Sequence, residues 1–344
     1  MYLLLTANFC KHNVGDLELL SGGISIFVIG VIINTKSLSF FIKKKDFFNL
    51  LKEIKNLNKQ FDISNTYAKI ELEKNNLFLG QFFKVFYFFA FSTLVVYAII
   101  PTIDYLWQIH VKLNNQAKRY LPLNFKFPIV DDSESPYHEI CTVISTMLGT
   151  AAVTFLTGLD CIFLVVSSNL KTHFEILQDK FRNSRFDDPS HNISSLKSLV
   201  LYHIKLLELT DSLNNTFKEI IFGQIVLTAV QMCLILFQIL QFSENLNLFN
   251  ALPNYCFFMA ILLEFFMYCY GGQLITNESF NVSLAIQESS WYNLRADERA
   301  FVLIMMARTQ KPLHITSGVF VASLDTFGVI LKTACSYVTF MRSF

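Results

Sequence analysis

The chain has 344 residues, 53% of them hydrophobic and only 16% charged, and its mean hydropathy is +0.42. A soluble domain carries roughly 25% charged residues, so this composition excludes an ordinary water-soluble fold. The net charge of +1 removes any electrostatic case for nucleic acid or an acidic substrate.

A bilayer core of about 30 Å needs roughly 20 mostly apolar residues per helix. The segment Met1 to Asn8 has no basic start and reads as the last turns of an earlier span, so one preceding helix is expected. Six spans then follow in order. The first runs from Leu17 to Phe40, the second from Phe82 to Trp107, and the third from Ile140 to Ser168. The fourth covers Ile220 to Phe242 and the fifth Pro253 to Ile275. The sixth, Ile315 to Met341, is less apolar and carries Asp325 and Lys332. The fold class is therefore all-α, a polytopic membrane helical bundle.

Basic residues orient the spans, because Lys and Arg concentrate in cytoplasmic connections. Residues 41–80 hold eight lysines, residues 169–218 seven Lys or Arg, and residues 276–313 four. The alternate segments hold six in all: Lys11, Lys112, Lys118, Arg119, Lys126 and Arg342. The first set is expected in the cytoplasm, which puts Phe344 outside. With the preceding helix restored there are seven spans and an inside N-terminus, the reverse of a G-protein-coupled receptor.

Four motifs in the last third give the chain specificity: Tyr268-Cys269-Tyr270-Gly271-Gly272-Gln273, Ser289-Ser290-Trp291-Tyr292, Arg308-Thr309-Gln310-Lys311-Pro312, and Ser323-Leu324-Asp325-Thr326-Phe327 leading to Ser336-Tyr337. In this order and spacing they resemble the insect odorant receptor family. Asp16-Leu17-Glu18-Leu19-Leu20, Leu121-Pro122 and Ser135-Pro136-Tyr137 extend the resemblance upstream. The chain departs from the family at Gly272-Gln273, where the family has Asn-Glu, and at its Arg342-Ser343-Phe344 end.

The resemblance implies an odorant-gated, non-selective cation channel subunit with seven helices. It assembles as a tetramer with the odorant co-receptor in the plasma membrane of an olfactory neuron dendrite. Small volatile ligands and the bilayer are the other partners. The resemblance also divides the chain into a transmembrane bundle with the odorant pocket (1–275), a cytoplasmic anchor (276–312) and a pore-lining terminal helix (313–344). The last helix of the family is split, and Pro312 suits the break because it cannot donate to the preceding turn. The implied pocket lies in the outer half of the bundle. There it draws on Tyr97, Ile100, Asp104 and Tyr105, on Ser145, Thr146 and Gly149, and on Tyr255, Phe258, Met259 and Leu262. Aromatic stripes at helical spacing are otherwise packing surfaces. The pore and gate residues implied are Tyr337, Phe340, Met341 and Phe344, whose bulky apolar groups close a pore by dewetting.

Other features are read from the residues alone. Asp160 and Glu264 sit inside apolar spans, where a carboxylate is either satisfied by helix contacts or used in gating. Gln224, Gln231 and Gln238 recur every seven residues and suit hydrogen bonds between helices. Sequons at Asn192, Asn214, Asn277 and Asn281 all fall on the expected cytoplasmic side. The seven cysteines contain no CxxC pair, although Cys141 and Cys256 fall near one membrane face, where a bridge is an option. The histidines have no metal-ligand spacing, and nucleotide and hydrolase motifs are missing, so neither an enzyme nor a cofactor is expected. The rival readings are a gustatory receptor of the same superfamily and a multi-spanning transporter.

Overall fold

The computed structural model describes residues 1–62, 66–112, 121–127, 135–184, 186, 189–244 and 248–341. The helices among them are α1 (Tyr2–His12), α2 (Leu17–Ile42), α3 (Lys44–Asp62), α4 (Thr66–Lys112), α5 (Tyr137–Arg182), α6 (Pro189–Glu244), α7 (Leu248–Glu288), α8 (Ala296–Thr309) and α9 (Leu324–Met341). Lipid offers a backbone no hydrogen-bond partners, so long apolar runs close into helices. Five of them, α2, α4, α5, α6 and α7, are long and apolar enough to cross a membrane. The protein is a multi-pass α-helical membrane protein.

The helices are longer than their apolar runs. At 1.5 Å per residue the 46 residues of α5 reach about 69 Å, roughly twice a bilayer core. The expected end at Ser168 is passed because residues 159–182 contain no Gly or Pro. Their Leu170, Phe174, Leu177 and Phe181 also recur on one buried face. The lysine-rich stretch after α2 becomes an amphipathic helix by the same rule. Phe47, Leu50, Ile54 and Leu57 of α3 are buried, and Lys52, Lys55 and Lys59 remain exposed.

These extensions hold the main hydrophobic core, which joins α3, α5, α6, α7 and α8 at the basic end of the bundle. Polar cross-links run through it. The Asn58 amide donates to Asn169 Oδ1 at 2.8 Å, and His173 lies 2.7 Å from Asn58 Oδ1 and 2.8 Å from the Tyr202 hydroxyl. Lys205 pairs with Glu53 at 2.6 Å, and Lys43 pairs with Glu219.

The terminal segment differs from the sequence expectation. A helix was expected from about His314, but α9 begins at Leu324. Between them, Thr316–Ser317 (β1) and Phe320–Val321 (β2) pair as an antiparallel hairpin. Gly318 opens its turn at a φ of 61°, a left-handed conformation that glycine adopts without steric cost. The link docks on α6 and α7. The Thr316 amide donates to Asn214 Oδ1 at 2.8 Å, the Leu313 amide to Ser279 Oγ at 3.0 Å, and the Thr276 hydroxyl to the Leu313 carbonyl at 2.8 Å.

The Tyr268–Gln273 motif is the seat of this docking. A β-carbon on Gly271 would come within 2.8 Å of the Phe163 ring, so α5 and α7 touch closely here. Gly272 faces the Ala322 carbonyl, and Gln273 Oε1 accepts from the Leu324 amide at 3.3 Å, at the start of α9.

The glutamine stripe of α6 is buried and bonds mostly to α2. Gln231 Nε2 donates to Ser25 Oγ at 2.5 Å and Gln238 Nε2 to the Ser21 carbonyl at 3.1 Å, whereas Gln224 bonds Thr228 within α6. Among the described residues no disulfide forms, and Cys141 and Cys256 are not bridged. Asn277 accepts from Gln273 and Asn281 donates to Glu278. The side chain of Asn192 lies outside the described residues.

Candidate functional site

A cavity of about 120 Å³ lies inside the bundle, among α2, α4, α5, α6 and α7. Each helix contributes residues at its own period. From α5 come Gly149, Ala152, Val153, Leu156, Thr157 and Asp160, and from α7 Phe257, Ala260, Ile261 and Glu264. From α4 come Phe86, Ala90, Thr93, Leu94 and Tyr97, from α2 Ile26, Ile29 and Ile32, and from α6 Thr228 and Gln231. The spacing of three and four residues is that of one helix face. The small side chains of Ala90, Ala152 and Ala260 leave the space.

Tyr2 of α1 and Leu123 close the end away from the basic segments. Gly149 permits this closure, since a β-carbon there would lie 2.7 Å from both Leu123 Cδ1 and Leu94 Cδ1. At this end the Tyr97 hydroxyl donates to Asn254 Oδ1 at 3.1 Å, and its ring meets Phe257 edge-on at 6.0 Å.

From Gly149 the cavity descends along α5 to Asp160, about 16 Å at 1.5 Å per residue. Its floor is ionic. Lys36 Nζ lies 2.6 Å from Asp160 Oδ1 and 2.6 Å from Glu264 Oε1. The Tyr268 hydroxyl donates to the same Asp160 oxygen at 2.5 Å, and the ammonium sits 5.3 Å from the centre of its ring. Lys36 and Asp160 are each 1% exposed. Ionised groups at this depth persist only when paired, and here one cation from α2 joins two anions from α5 and α7.

Of the residues expected in a pocket, Tyr97 and Gly149 line this cavity. Ile100 and Tyr105 lie further along α4, outside the lining. The Ser145 and Thr146 hydroxyls turn back to the carbonyls of Cys141 and Thr142. Phe258 and Leu262 pack against the main core, and Tyr255 and Met259 are exposed on the outer surface of α7. Tyr337 is exposed on α9. The side chains of Asp104, Phe340 and Met341, and all of Phe344, lie outside the described residues.

Sequence reasoning passed over Lys36, Thr228, Phe257, Ala260 and Ile261, and it assigned Gln231 to hydrogen bonds between helices and not to a cavity. Lys36 carried a usable signal: it is the one basic residue of α2, and a cation in an apolar span requires an anion on a neighbouring helix.

A family model described as 7tm odorant receptor matches residues 16–335. The chain belongs to this family. Odorant receptor 82a of Drosophila melanogaster is 28% identical over 344 residues, covering 98% of this chain and 87% of that protein. Odorant receptor 45a of the same fly is 23% identical over 339 residues, with 98% and 86% covered. The fold matches that of the insect olfactory receptor OR5 from Machilis hrabei in complex with eugenol. The TM-score is 0.79 at 14% identity, over 99% of this chain and 87% of that one. The odorant branch, rather than the gustatory receptor or transporter alternatives, accounts for these matches. As an odorant receptor, the chain owes its Tyr268–Gln273 signature to packing: its tyrosine holds the ionic floor and its glycines admit α5 and the terminal hairpin.

Proposed function

We propose that this odorant receptor is the ligand-recognising subunit of an odorant-gated, non-selective cation channel formed with the odorant co-receptor as a tetramer. The observation that carries the reading is the outer face of α9. Asp325, Lys332, Ser336 and Thr339 follow one another at helical spacing, and all four are exposed. The opposite face, with Phe327, Ile330 and Ala334, packs on the bundle. A stripe of this polarity is costly against hydrocarbon and suits a water-filled path between subunits.

The cavity supplies the other half of the reading. A concave, largely apolar space with a few polar groups on its floor is the form that small-molecule sites take. Odorant binding opens the channel only if the ligand prefers the open state, since equal affinity for both states shifts nothing. In this reading α9 transmits the change to a gate at Tyr337, Phe340, Met341 and Phe344, residues 276–312 form a cytoplasmic anchor between subunits, and the basic segments face the cytoplasm with Phe344 outside.

Co-expression with the co-receptor tests this directly. Odour-evoked cation currents are expected in the pair and not in either subunit's absence, and a tag after Phe344 is expected to stain unpermeabilised cells. Staining only after permeabilisation, or substrate uptake without current, overturns the reading.

A further inference from the structure

The floor of the cavity is not chemically balanced. Asp160 Oδ1 receives both Lys36 and Tyr268, but Oδ2 is buried without a donor, and so is Oε1 of Gln231. Both residues are 1% exposed and both line the cavity. Gln231 Nε2 donates to Ser25, and no hydrogen bond from it reaches Asp160 Oδ2. The triad also holds two carboxylates against one ammonium. A buried acceptor without a donor is costly, and such groups in folded proteins are met by protein, water or ligand. Above the floor, the walls are mainly aliphatic and aromatic.

We infer that this cavity selects small odorants with an apolar body and one terminal N–H or O–H donor, directed at Asp160 Oδ2, with a primary ammonium favoured over a hydroxyl. The donor satisfies the spare oxygen, and a positive charge also offsets the second carboxylate. The inference rests on the cavity being the odorant site.

The test is a thermal-shift titration of the purified full chain in detergent at neutral pH, because a ligand that binds only the folded state raises Tm. The probes share a six-carbon body: hexylamine, 1-hexanol, hexyl methyl ether and hexanal. The amine and alcohol are expected to bind about tenfold or more tightly than the ether and aldehyde, the scale of one hydrogen bond to a charged group. In Asp160→Asn the spare oxygen becomes an amide N–H, so the order is expected to reverse in favour of the aldehyde and ether. In Glu264→Gln, which keeps an oxygen for Lys36, the advantage of amine over alcohol is expected to fall. This variant stands alone if Asp160→Asn does not fold.

Equal binding of all four probes, no binding of any, or an equal loss of all four in the variants overturns the inference. Ala260→Phe fills the cavity and separates the two ideas. If it abolishes binding of every probe, the cavity is the site. If all four bind it as they bind the parent protein, the odorant-site reading itself fails, and the donor preference with it.

Discussion

A β-carbon placed on Gly272 would lie 2.1 Å from the Ala322 carbonyl oxygen, so α7 and the link into α9 meet backbone to backbone. No flexible side chain is there to give way, since the nearest atoms are the backbone and β-carbon of Ala322. Gly272→Ala is therefore expected to lower stability by about 1–3 kcal/mol, the usual cost of overpacking, or to push the hairpin off α7. The comparison is Gly80→Ala, where an added β-carbon meets nothing. Thermal melts of the two purified variants check this, and equal Tm values would show that the contact is slack.

Removing the cation from the triad strands two carboxylates. Lys36→Met is expected to cost about 3–5 kcal/mol, as breaking a buried ion pair does. The triple variant Lys36→Met, Asp160→Asn, Glu264→Gln removes all three charges and is expected to recover most of that loss. Melting curves of parent, single and triple variants decide it. A triple variant no better than the single one would mean that geometry, not charge, is at stake.

A bulky group inside the cavity competes with ligand. Ala260→Phe is expected to abolish odour-evoked current in cells that also make the co-receptor while leaving surface levels near those of the parent. Current and surface labelling are measured on the same cells. Full responses would place the ligand elsewhere.

The α9 stripe makes a prediction about ions. If Lys332 faces the conduction path, Lys332→Gln removes a positive charge that repels cations. Larger currents, or a shifted reversal potential under a calcium gradient, are expected. Unchanged conduction with normal gating would turn that face of α9 toward a packed interface.

The sequence carried the fold further than the site. Apolar runs located five of the six expected spans, because solvent alone decides that feature. They understated the helices, as Leu170–Phe181 and Phe47–Leu57 follow the amphipathic rule of packed soluble helices instead of the continuous run of a span. The hairpin at Thr316–Val321 was hidden inside an apolar stretch, though Thr316-Ser317-Gly318 is a turn signal. The cavity floor was half legible. Asp160 and Glu264 stood out as isolated carboxylates, but their shared partner is 124 and 228 residues away, and no local pattern reports such a distance.

That separation bears on how the protein is made. Lys36 leaves the ribosome with the first of the long apolar helices, and Glu264 emerges on the last of them. At 5–20 residues per second the interval between them is roughly 10 to 50 s. Until Asp160 follows on α5, 124 residues after Lys36, the nascent chain must shelter a lone ammonium from the acyl chains, at the translocon or near the lipid headgroups. The final bundle cannot close until α7 has been threaded. A product stalled before Asp160 therefore displays an unanswered charge, and one stalled before Glu264 lacks the second carboxylate of the triad.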